Sequence, residues 1–140
     1  MLAGERLLLT IWVGGLWAIG YMVAPALFAN LEDRALAGSL AGVMFEIIAY
    51  TGLACGFLLL LFNQLRNAGQ RLNWRAVVLL IMILLVIAGQ FVVAPMITGL
   101  RSQGLTDTAD FGRLHGAASV LYLLNSLLGL ALVIARENNG

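Results

Sequence analysis

The sequence predicts an all-α integral membrane protein, a bundle of four transmembrane helices. Three observations predict it. Residues 7–31, 76–100 and 114–135 contain no Asp, Glu, Arg or Lys, and residues 35–65 contain only Glu46. Each stretch is long enough to cross a bilayer, because about 20 residues rising about 1.5 Å each span the hydrocarbon. Composition agrees: of 140 residues, 61% are hydrophobic and 11% charged, with a mean hydropathy of +0.96. Soluble domains hold roughly 45–50% apolar and 25% charged residues, and this much apolar surface needs lipid rather than water beside it.

In chain order the helices are expected near residues 6–29, 37–64, 75–99 and 112–135, forming a single domain over residues 1–140. The first carries signal-peptide features: Arg6, an apolar run, and the small residues Ala24-Pro25-Ala26. Its run exceeds the usual 7–15 residue apolar region, about half a span, and it has a counterpart in the third stretch, so it reads as a retained helix. The connections Asn30–Leu36, Leu65–Trp74 and Leu100–Phe111 are short. Any chemistry therefore sits within the bundle or at its edge. Lysine is absent, and the eight cations are all Arg. Arg66, Arg71 and Arg75 in the second connection, with Arg6 and Arg136 at the termini, put five on one side; Arg34, Arg101 and Arg113 put three on the other. The positive-inside bias then places both termini in the cytoplasm, in a bacterial-type inner membrane.

The chain repeats itself. Val23-Ala24-Pro25 recurs as Val93-Ala94-Pro95, and Gly38-x-x-x-Gly42 recurs as Gly112-x-x-x-Gly116. Two hairpins of the same topology would be related by an axis along the membrane normal. Gly38, Gly42, Gly52 and Gly56 on the second helix, and Gly112 and Gly116 on the fourth, are expected at close helix contacts, since small residues let backbones approach in lipid. Pro25 and Pro95 each lack a backbone donor and bend or end a helix.

The polar residues of the spans are the candidate site. An acid mid-span costs at least about 2.5 kcal/mol to insert, so Glu46 needs a partner or a function. His115, Ser119, Tyr122 and Ser126 fall at steps of four, three and four on one face of the fourth helix, with Asn125 beside it, and that face is expected to point into the bundle. Gln90 falls near the depth of Glu46, and Tyr21, Met22 and Met96 lie in the same outer half. The expectation is an outward-opening polar pocket of Glu46, His115, Gln90, Ser119, Tyr122 and Tyr21, with Glu46 hydrogen-bonded to His115 or Gln90 or held neutral.

Imidazole and thioether suit copper, and His can hold haem, so His115, Met22 and Met96 are the metal candidates. One His is a narrow basis, and a zinc site wants three or four ligands. Cys55 is alone and reads as a small packing residue. No serine-hydrolase arrangement, phosphate loop or basic patch is present, so the chain is read as non-enzymatic and without a nucleic-acid partner.

Ile11-Trp12-Val13-Gly14-Gly15, then Val23-Ala24-Pro25-Ala26-Leu27-Phe28, Ala37-Gly38 and Phe45, resembles the opening of the transmembrane-protein-205-like domain family. Phe111-Gly112-Arg113-Leu114-His115 and Asn125 resemble its last helix. The likeness runs nearly the whole length. It implies a four-helix membrane domain largely without assigned biochemistry and marks Pro25 and His115 as family positions. The first segment is also similar to copper-resistance D-type and protoporphyrinogen-oxidase-type membrane proteins, which rely on a His in the first helix; residues 7–31 contain none. The leading expectation is a membrane module that binds or passes a small solute or metal ion. The alternatives are an accessory subunit of a larger membrane complex, or a homo-oligomer, and a haem- or copper-bearing protein.

Overall fold

The computed structural model describes residues 2–70 and 72–135. Arg71 and Arg136, both counted in the charge asymmetry, lie outside the described residues. Four helices are long and apolar enough to cross a membrane: α1 (Ala3–Asn30), α2 (Arg34–Arg66), α3 (Trp74–Ser102) and α4 (Ala109–Ile134). No strand occurs among the described residues. The helices pack in a ring, α1 on α2, α2 on α3, α3 on α4 and α4 on α1. The end bearing the first and third connections is called distal here, and the end bearing the second connection and the termini proximal.

Local chemistry sets the helix ends. Asp33 caps α2 by accepting from the Ala35 and Leu36 amides at 2.9 and 3.2 Å. Asn73 caps α3 through Ala76, and Thr108 caps α4 through Phe111. Each cap satisfies an amide that has no partner inside its helix. The distal end of α3 closes with the Leu105 amide on the Leu100 carbonyl at 2.9 Å and the Gly104 amide on the Arg101 carbonyl at 3.1 Å. This is a Schellman motif, and its left-handed residue is Gly104, at φ +71°.

Two of the helices are interrupted at matching places. Residues Ile19–Val23 of α1 and Ala88–Val93 of α3 are π-helical, and each segment is followed at once by Ala-Pro. The cause lies in the proline. Its ring collides with the carbonyl four residues back in a regular helix. Those carbonyls belong to Tyr21 and Phe91, both inside the widened turns. The helices then continue, to Asn30 and Ser102, so the prolines redirect the helices rather than ending them. The repeat seen in the sequence is thus a repeat of backbone geometry.

The breaks decide which neighbours meet distally. Beyond its break α1 packs on α2, and beyond its break α3 packs on α4. Each redirected segment stays with the partner in its own hairpin and draws away from the other hairpin. Proximally the ring is closed. Trp12 is fully buried against α2, where a Cβ at Gly52 would run into its indole and a Cβ at Gly56 would stand 2.8 Å from Ile83 Cγ1 and 3.1 Å from Trp12 Cη2. Leu9, Val13, Leu16, Leu59, Leu79, Met82 and Leu132 complete that core. At the proximal rim, buried Glu5 accepts from Arg66 at 3.0 Å, tying the start of α1 to the end of α2. Asn63 and Asn73 pair amide to amide at 3.1 and 3.3 Å across the second turn.

The seam expected on α4 differs. Gly112 and Gly116 are exposed, and a Cβ at either would meet nothing within 4 Å. On α2 only Gly52 and Gly56 receive another helix; Gly38 and Gly42 receive the side chain of Arg101 instead. Gly52→Leu and Gly56→Leu are therefore expected to lower the melting temperature in detergent by several degrees, since overpacking costs about 1–3 kcal/mol. Gly112→Leu and Gly116→Leu should melt with the wild type. Four indistinguishable melting curves would contradict the packing described here.

Candidate functional site

The redirected distal half of α3 opens a groove of about 480 Å³ between itself and α2. Glu46 lines it from α2, and Gln90, Ala94, Pro95, Thr98, Gly99 and Ser102 line it from α3. Gln90, Ala94, Thr98 and Ser102 recur at steps of four and so share one helix face. On α2, Gly38, Gly42 and Glu46 do the same. The helices rejoin one turn below Glu46, where the Tyr50 and Phe91 rings meet edge to face at 6.1 Å between centroids. At the distal mouth Arg101 crosses from α3 to α2. Its Nη1 donates to the Gly38 carbonyl at 3.5 Å, and Nη2 stands 3.1 Å from where a Gly38 Cβ would be. Its guanidinium carbon also lies 6.0 Å from the centre of the Phe111 ring.

Depth follows from helix geometry. The 33 residues of α2 make it about 50 Å long, well beyond the roughly 30 Å hydrocarbon. Glu46 lies four residues distal of the helix midpoint, about 6 Å, and its side chain leans further that way. It is exposed, into the groove it lines, and has no hydrogen bond or ion pair among the described residues. The expected bond to His115 or Gln90 is not made; Gln90 only shares the groove.

At the break of α1 the space toward α4 is filled. The Tyr122 hydroxyl reaches from α4 into the π-helical turn of α1 and donates to the Leu16 carbonyl. The Gly20 backbone addresses the same phenol oxygen, and a Cβ at Gly20 would run into the Tyr122 ring. The tyrosine thus shares the Leu16 carbonyl with the Ile19 amide at the edge of the widened turn. The Ser126 hydroxyl gives its one proton to the Leu123 carbonyl at 2.8 Å, so Tyr21, at 2.7 Å, must donate to Ser126. Trp17 Nε1 donates to the Ser126 carbonyl at 3.3 Å. Trp17 and Tyr21 contact at 4.8 Å, Tyr21 and Tyr122 at 6.1 Å, and Phe45 and Tyr122 at 5.1 Å between ring centres.

The pocket expected from the sequence therefore divides. Glu46 and Gln90 line the groove. Tyr21 and Tyr122 belong to the α1–α4 contact. His115 and Ser119 are exposed on α4: His115 stacks on Phe111 at 6.3 Å, and Ser119 donates to the His115 carbonyl at 2.8 Å. They are not turned into the bundle, because the part of α1 that would cover them packs on α2. Met22 and Met96 are 69% and 52% exposed, on different helices. No three His, Cys, Asp or Glu side chains gather among the described residues. Arg101, Thr98 and Ser102 were missed as site residues. The four-residue spacing from Gln90 was the signal for the latter two, whereas Arg101 was counted only as a topogenic charge.

A family model for a domain of unknown function, DUF4149, matches residues 7–106, more than half of the chain. The chain belongs to the DUF4149 family. The matched segment contains α1 from Leu7 onward, α2, α3, both π-helical turns and every residue lining the groove, while Tyr122 and Ser126 fall beyond it. No curated protein and no solved structure matches the chain. DUF4149 membership supplies the membrane domain and leaves its chemistry to be read from the groove.

Tyr122→Phe tests the plug. It keeps the ring and removes one of two donors to Leu16, the Ile19 amide remaining, so the melting temperature should fall by a few degrees, for the roughly 0.5–1.5 kcal/mol of one lost hydrogen bond. Ser119→Ala, on the exposed face, should not change it.

Proposed function

We propose that this DUF4149 protein is a non-enzymatic membrane module that binds, or passes, a small polar solute through the groove between α2 and α3. The observation that carries the reading is Glu46: a carboxylate within the spanning region, without a partner among the described residues, in a groove that already holds Gln90, Thr98 and Ser102. Intramembrane acids are costly and mark solute or ion paths. Breaks in membrane helices tend to accompany such sites. A purely structural acid would be expected to find a donor, as Glu5 finds Arg66. Kinship with the transmembrane-protein-205-like domains is part of this proposal and agrees with a four-helix module of this length.

A second reading is an accessory subunit. The outward face of α4 supports it, since His115, Ser119, Gly112 and Gly116 together make a polar, small-residue strip unlike a lipid-facing one. Copurification of a stoichiometric larger partner from mild detergent would favour it.

The binding reading is tested by thermal-shift screening of the detergent-purified protein against amino acids, amines, carboxylates and divalent cations. At least one class should stabilise the wild type and fail to stabilise Glu46→Leu. If no class does so, the reading falls. Glu46→Gln is expected to melt like the wild type, because an exposed groove acid contributes little to packing.

We also propose that both termini face the cytoplasm of a bacterial-type cell, which makes the groove open outward. Cysteines at Gly69 and Asp107, in a Cys55→Ala background, report this through an impermeant thiol reagent on intact cells. Position 107 should label and position 69 should not; the opposite pattern would invert the topology.

A further inference from the structure

Opposite charges stand along one strip of α2. Glu46 is the acid that lines the groove, and Arg101, beside the groove rather than in its lining, is the base at its distal mouth. Gly38, Gly42 and Glu46 form one strip of α2, and the Arg101 guanidinium lies over the first two: Nη1 is 3.9 Å from where a Gly42 Cβ would stand. Residues four apart on a helix have Cβ atoms about 5–6 Å apart, and a side chain leans toward the helix N-terminus, so Glu46 reaches toward Gly42. Cation and anion thus flank the same short length of groove. They are not paired with each other. No carboxylate lies within ion-pair distance of Arg101 among the described residues, and its one hydrogen bond there is the long one to Gly38. Arg has five donors in a planar fork suited to a carboxylate or phosphate, and most of these remain unused.

We propose that the groove takes a small zwitterion, with its ammonium on Glu46 and its carboxylate or phosphate on Arg101. The proposal rests on the solute-binding reading above and names its substrate class. Three features point to this class. The open charges are one of each sign. Gly42 and Gly38 lie about 6 and 12 Å along α2 from Glu46, an interval that a small molecule with one charge of each sign and its hydrogen bonds can bridge. Finally, acid, base and zwitterion sum to zero, so the loaded groove places no net charge in the low-dielectric part of the membrane, where an unpaired ion is most costly. Thr98, Ser102 and Gln90 supply neutral hydrogen-bonding groups along the wall. A free amino acid and a zwitterionic lipid headgroup share this chemistry.

The test uses the full chain in detergent with three probes of one carbon skeleton: leucine, isopentylamine and 4-methylpentanoate. Leucine should raise the melting temperature by about 3 °C or more at saturation, and more than either singly charged analogue. Glu46→Gln should abolish the response to the amine and weaken that to leucine. Arg101→Gln should abolish the response to the acid and weaken that to leucine. In nanodiscs, stabilisation by phosphatidylethanolamine over phosphatidylglycerol without any response to leucine would assign the zwitterion to a lipid headgroup, and the reverse to a free solute. An amine response equal to that of leucine and unchanged in Arg101→Gln would overturn the zwitterion proposal, leaving a cation site and the binding reading intact. An absence of response to every probe in detergent and in nanodiscs would overturn it too, and the wider solute screen then decides the binding reading separately.

Discussion

In a bilayer every backbone polar group must be satisfied by the protein itself, and this requirement organises the molecule around its two helix breaks. Pro25 and Pro95 cannot sit in a regular helix, and the chain widens by one residue before each. The widening separates amides from their usual carbonyls, and hydrocarbon supplies no replacement partners. Inside the breaks the amides bond five residues back instead, Ala24 to Ile19 and Ala94 to Gly89. At α1 Tyr122 adds a further donor, to Leu16. At α3 the break lies at the groove, where polar side chains gather. The prolines thereby determine where α1 and α3 turn, which helices they contact distally, and where an opening forms.

The proximal half makes that opening tolerable. Trp12 seated on Gly52 and Gly56, the apolar layer around Met82 and Leu132, and the Glu5–Arg66 pair hold all four helices in a closed ring. Packing rather than the hydrophobic effect joins helices in lipid, so glycines opposite a tryptophan matter more here than apolar character as such. With one end fixed, the distal segments can diverge without separating the bundle.

The number, class and approximate limits of the helices were legible because hydropathy over about 20 residues is a strong signal. The structure extends α3 to Ser102 and starts α4 at Ala109, a few residues beyond expectation, since capping and the turn at Gly104 set the ends rather than hydropathy. Glu46 and Gln90 were readable as groove residues from depth alone. The facing of α4 was not. His115, Ser119, Tyr122 and Ser126 do share a face, but whether that face is covered depends on the neighbour. Next to Ser126 and Tyr122 the neighbour is α1 just before and within its break. Near His115 and Ser119 the same helix has turned to α2. One extra residue in a helical turn leaves no trace in composition, so a face argument that assumes straight helices fails beyond it. Gly38 and Gly42 misled for a related reason: small residues signal close approach, and here the approaching group is a guanidinium rather than a helix.

The two hairpins repeat one geometry and use it differently, and the difference is physically connected. If both distal clefts were open, α1 and α3 would each be held distally by a single neighbour, and the breaks would expose backbone on two sides. Filling one cleft with Trp17, Tyr21 and Tyr122 restores contact between the hairpins at the level where the other cleft parts them. The aromatic contacts and the Tyr21–Ser126 and Tyr122–Leu16 hydrogen bonds then carry the packing that the second cleft gives up. That leaves the α2–α3 cleft free of a structural duty. Its residues can be chosen for polarity rather than fit, and Glu46, without a partner among the described residues, lies there.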